Sequence, residues 1–101
     1  MKKNIIIITC FAASLMLSSL AQAYTGQELT KDANVTLEAA RGIALKTFPG
    51  DIMDYELEKE VGGSGLRFSF VILAHGVGHE VGIDAITGKV LENILEGSNP
   101  D

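Results

Sequence analysis

His75, His79 and Glu80 are the residues of this chain whose types could hold a transition metal. Imidazole and carboxylate together suit zinc or copper. The two histidines flank a three-residue turn, which would let them face each other across a hairpin. Two imidazoles and one neighbouring acid do not close a site, and the spacing fixes no further ligand. The chain is therefore read as needing neither metal nor other cofactor. A second constellation is the row Asp54, Glu56, Glu58 and Glu60. Alternate residues of a strand share one side and lie about 7 Å apart. Such a row is a docking face for a basic partner, or a weak cation site. Its plainer role is a solvated face whose charges keep an edge strand from aggregating, with Arg67 on the next strand neutralising one acid. No Ser-His-Asp set has supporting local context. The paired carboxylates fall on a strand expected to be exposed, where nothing raises a pKa. The chain is read as non-catalytic.

The elements that position these residues begin after an export pattern. Lys2 and Lys3 form a short basic region, Ile5 to Leu17 an apolar core, and Ala21-Gln22-Ala23 an A-x-A cleavage site. Thr9, Ser14, Ser18, Ser19 and Gln22 dilute the segment, which argues against an uncleaved membrane anchor. A lipid-modified cysteine at Cys10 is disfavoured by its short apolar lead-in and by Thr9 before it. The expectation is a signal peptide over 1–23, cleaved to leave Tyr24 first, and a periplasmic or secreted domain. Cleavage removes two of the eight basic residues and none of the 13 acidic ones, so the remainder is more negative than the −5 of the whole chain. That balance repels nucleic acid and anionic lipid. It also removes the one cysteine, leaving no disulfide for an oxidising compartment. A core this small has a thin stability margin, which a homodimer would widen.

Residues 24–34 are polar and without period, and are expected to be a flexible leader. Thr36 reads as a helix N-cap, with Glu38 in the first turn. Leu37, Ala40, Ile43, Ala44 and Phe48 then repeat at helical spacing, Arg41 and Lys46 fall toward solvent, and Pro49-Gly50 ends the helix. From Ile52 the period becomes two: Met53, Tyr55 and Leu57 face one way and the acids the other. Gly62-Gly63-Ser64-Gly65 is a turn. Leu66, Phe68, Phe70 and Ile72 mark a second strand with an apolar face. His79, Val81, Ile83 and Ala85 line a third, after the turn His75-Gly76-Val77-Gly78. A short fourth strand starts at Val90 and Leu91, and 96–101 is a polar tail. Short glycine-containing connections imply antiparallel neighbours. The fold class is α+β: one N-terminal helix packed on a three- or four-stranded antiparallel sheet.

The last hairpin carries the most specific residues. Glu80-Val81-Gly82-Ile83-Asp84-Ala85-Ile86-Thr87-Gly88-Lys89-Val90-Leu91 reads as strand, tight turn, strand. Asp84 can bond the turn amides, and Thr87 and Gly88 shape the turn. With the Thr36-Leu37-Glu38-Ala39-Ala40 helix start and the strand Tyr55-Glu56-Leu57-Glu58, this run resembles the PepSY domain family over about Val35 to Asn93. Gly82 departs from the pattern, where a larger residue is usual; a glycine there marks a bulge or a close backbone approach. The resemblance implies a small α+β domain of metallopeptidase propeptides and bacterial envelope proteins, with no catalytic residues. It implies a protein partner, with a peptidase to be bound and inhibited as the first candidate. An envelope module sensing a ligand or cation is the alternative. Domain limits follow as 35–95.

Overall fold

The computed structural model describes residues 23–97. The expected signal peptide, apart from its last residue, and the tail from 98 onward lie outside the described residues. Helix α1 (Leu37–Thr47) is followed by strands β1 (Asp51–Lys59), β2 (Leu66–Ala74), β3 (Val77–Asp84) and β4 (Val90–Leu95), which form one antiparallel meander in the order β1-β2-β3-β4. Thr36 caps α1 as its residue type predicts: its hydroxyl accepts from the Ala39 amide at 3.0 Å. Ala40 and Ala44, one helical turn apart, are fully buried and let the helix lie close against β2, β3 and β4. The sheet supplies Leu57, Phe68, Phe70, Ile72, Val81 and Ile83 to the same core. The architecture is the expected α+β arrangement with four strands.

Three local features depart from the periodic reading. Met53 does not join Tyr55 and Leu57; it is 61% exposed, because the β1–β2 register slips between Ile52 and Asp54. A β-bulge of this kind adds one residue to one strand and resets which residues face inward, so Ile52 takes the inward place. Glu60 lies beyond the end of β1 rather than in its row. Arg41, expected to point to solvent, sets its guanidinium over the Tyr55 ring at 5.4 Å.

The polar stretch after residue 23 carries structure that periodicity did not predict. Tyr24 packs its ring 5.3 Å from that of Tyr55. Thr25 pairs in parallel with Glu56, and its carbonyl accepts from the Leu57 amide at 3.0 Å. Gly26, at φ 86, presses against the Leu57 carbonyl so closely that no side chain fits. A 3-10 helix, Gln27–Asp32, then leads back toward α1. Asn34 and Val35 both donate to the Ala85 carbonyl, tying the start of α1 to the end of β3.

Candidate interaction face

One face of the sheet is covered by α1, and among the described residues the other carries no layer. The uncovered face gathers six of the chain's 13 acids. Asp54, Glu56 and Glu58 come from β1, Glu80 from β3 and Glu92 from β4, with Glu96 just after it; the charges of these groups act on one another directly. The register accounts for the assembly: Glu56 pairs with Ser69, Ser69 with Gly82, and Gly82 with Glu92, so one row crosses all four strands. Arg67 runs over Gly82, where an added Cβ would meet its Cδ at 3.3 Å and the Glu92 Cβ at 3.3 Å. The β3–β4 register also shifts between Gly82 and Ile83. Both the close approach and the irregular pairing expected of a glycine at this position are therefore present.

Arg67 reaches Glu92 at 3.4 Å and donates to the Val61 carbonyl at 3.1 Å, while its buried Nε has no partner among the described residues. Ser69 donates to Glu58 at 2.7 Å. Glu56 is pushed up to about 7, first by its hydrogen bond with Glu58, then by desolvation and by the charges of Glu58, Asp54 and Glu80. Glu80 is raised by burial first and then by Glu92, Glu58 and Glu96, with Arg67 opposing. These shifts correct the expectation that nothing on this face raises a pKa. The row is crowded by strands the β1 sequence does not mention.

The sign of the pH dependence follows. The folded state holds the protons of Glu56 and Glu80 more tightly than the unfolded chain does. Stability therefore rises as pH falls from about 7 toward the ordinary glutamate value of 4.5. Asp84 acts oppositely: burial raises its carboxyl, but amides of Ile86, Ser64 and Thr87 outweigh that and hold it below 3.8, so its contribution is lost in stronger acid. The melting temperature should accordingly be higher near pH 5 than near pH 8. Because the two glutamates are partly exposed, added salt should flatten the difference. Thermal melts across pH at low and high salt check this, and a low-salt profile that rises toward pH 8 would contradict it.

His75, His79 and Glu80 are not brought together. His79 stacks on Phe48 at 3.9 Å on the helix side, and its Nδ1 donates to the Asn93 Oδ1 at 2.7 Å. Glu80, the next residue along the strand, lies on the opposite face, as alternation requires. His75 sits in the β2–β3 turn with φ 52. Among the described residues no three His, Cys, Asp or Glu side chains are grouped to hold a metal ion. Asp84 is 2% exposed. Its Oδ1 accepts from Ile86 at 2.8 Å and Thr87 at 3.1 Å, and its Oδ2 from Ser64 at 2.8 Å. Thr87 accepts from the Lys89 amide at 3.2 Å, and Gly88 takes φ 82. These three residues fix the last turn and hold the loop between β1 and β2 against it.

The family model described as "Peptidase propeptide and YPEB domain", PepSY, matches residues 34–93. The chain belongs to the PepSY family. No curated protein and no solved structure matches it. The matched span contains α1, all but the end of β4, and the Asp84 turn. A match to a domain described from peptidase propeptides points to a non-catalytic module. Among the described residues no helix is long and apolar enough to cross a membrane.

Proposed function

We propose that this PepSY domain is exported and acts by binding and restraining a peptidase. The family match, to a domain described from peptidase propeptides, carries the reading; the basic, apolar and A-x-A pattern of residues 1–23 supports export. Strand addition is a general mode by which a sheet edge engages the backbone of a partner. β1 is an edge strand and supplies such an edge. Two of its mid-strand amides are already engaged: Leu57 donates to Thr25, and Tyr55 to its neighbour Asp54 at 2.9 Å. A peptidase that pairs with the middle of β1 must therefore displace residues 24–26.

Titrating the purified protein into a metallopeptidase from the same compartment tests this. Activity should fall near one equivalent. Full activity at large excess, or rapid digestion of the domain, would overturn the proposal. The second reading, a ligand-sensing envelope module, draws on an apolar groove of about 430 Å³ lined by Phe48, Pro49, Ala74, His75 and Val77. It takes over if the peptidase is unaffected while an aromatic ligand raises the melting temperature.

A further inference from the structure

The helix-free sheet face is not uniformly polar. Val71 and Ile94 flank Glu80 in the pairing row across β2, β3 and β4, and Leu73, 39% exposed, continues the apolar strip along β2. On β3, Gly78 and Gly82 stand on either side of Glu80, so Glu80 rises alone from the middle of that strand. Carboxylates border the strip: Asp54, Glu56 and Glu58 on the β1 side, Glu92 and Glu96 on the β4 side.

Arg67 answers these charges only on the β4 side. It is 7% exposed, and its guanidinium is committed to Glu92 and to the Val61 carbonyl. The leading charges acting on Glu56 are negative, coming from Glu58, Asp54 and Glu80. Glu80 faces Glu92, Glu58 and Glu96, with Arg67 opposing. Among the described residues the fold thus holds a cluster of acids around an apolar strip with no layer over it, and the β1 side of that cluster is dominated by like charge.

We propose that the helix-free sheet face is a docking surface for a protein segment bearing lysine or arginine side chains among apolar ones. Its apolar side chains lie on the Val71–Leu73–Ile94 strip while its cations reach Glu56, Glu58 and Glu80. Glu56 and Glu58 lie about 7 Å apart along β1, and Glu80 stands two strands away, about 10 Å or more across the sheet, distances that long lysine and arginine side chains of one segment can bridge. This surface is separate from the β1 edge, and its occupancy does not depend on the partner being a peptidase. A bound ammonium favours the carboxylate form of Glu56, so docking near neutral pH releases a proton.

The test uses a synthetic peptide of alternating lysine and leucine, with a control in which glutamate replaces lysine. Calorimetry at low ionic strength should show the lysine peptide binding with proton release near pH 7, seen as a buffer-dependent heat. The Glu56→Gln/Glu80→Gln variant should bind about tenfold more weakly. Glu28→Gln/Glu38→Gln, which removes the same charge from outside the sheet, should bind unchanged. Amide shifts in the unmutated protein should map to the uncovered sides of β1 to β4. Equal weakening in the two variants, equal binding of the glutamate peptide, or shifts centred on α1 would each overturn the proposal.

Discussion

Asp84→Ala should cost the domain about 3 kcal/mol or more, the largest loss expected from any one turn residue. The Asp84 carboxylate is buried and accepts three backbone amides, two from its own turn and one from Ser64, twenty residues earlier. A hydrogen bond to a charged group contributes about 1.5–3 kcal/mol, and a buried donor left without an acceptor costs about 1–3 kcal/mol. Alanine removes the acceptor from all three donors at once, and only the more accessible can turn to water. It also unfastens two loops, because the same side chain joins the β1–β2 connection to the β3–β4 turn. Folded domains carry about 5–15 kcal/mol in total, and small ones lie at the low end. The variant should thus be substantially unfolded at physiological temperature, with a denaturant midpoint shifted far down at unchanged slope. Asp84→Asn keeps the size and one acceptor oxygen but sets an NH2 group against amide donors, so it should recover only part of the loss. An Asp84→Ala midpoint within a few tenths molar of the original would show that water replaces the carboxylate.

The residues behind these expectations were unequally visible in the sequence. The α1 stripe, its Thr36 cap, the β2 alternation and the Asp84 turn are local patterns with periods of 3.6 or 2, and each is found where its pattern places it. Met53 is misplaced because a bulge shifts the phase of a strand without altering its composition. The polar segment after residue 23 is held by contacts more than 25 residues distant, from Thr25 to Leu57 and from Tyr24 to Tyr55, and a six-residue 3-10 helix is too short for its period to stand out. The acid face lies between these cases. Its β1 row is evident, but the meeting of Glu56 with Glu80, and of Arg67 with Glu92, exists only through the register of four strands. Gly82 was the available clue: a strand glycine in an otherwise regular motif announces that something lies across it, and that something is Arg67. Phe48 shows the same limit, since helical spacing assigned it to the α1 stripe, yet it stands just past the helix and stacks on His79.

Arg67→Ala should destabilise the domain by about 3–5 kcal/mol, the range for breaking a buried ion pair from one side. The side chains of Arg67 and Glu92 are 9% and 12% exposed. Truncation leaves Glu92 beside Glu80 without the cation between them, removes the donor to the Val61 carbonyl, and opens a space above Gly82. The pair itself is not a strong net stabiliser: at 3.4 Å the contact is long, and the Arg67 Nε is buried without an acceptor among the described residues. Replacing both partners by leucine should therefore recover most of the loss, whereas restoring charge without reach, as in Arg67→Lys, should recover less, because an ammonium cannot serve Glu92 and Val61 together. The pH dependence separates this account from simple loss of packing. Arg67 is the charge that opposes the upward shift of Glu80. Without it Glu80 holds its proton more tightly still, and ionising it in the folded state becomes more unfavourable as pH rises. The deficit of Arg67→Ala should then be larger near pH 8 than near pH 5, and Arg67→Ala/Glu80→Gln should lose that difference. A deficit independent of pH would assign Arg67 a packing role, with its charge incidental to the face it lies beneath.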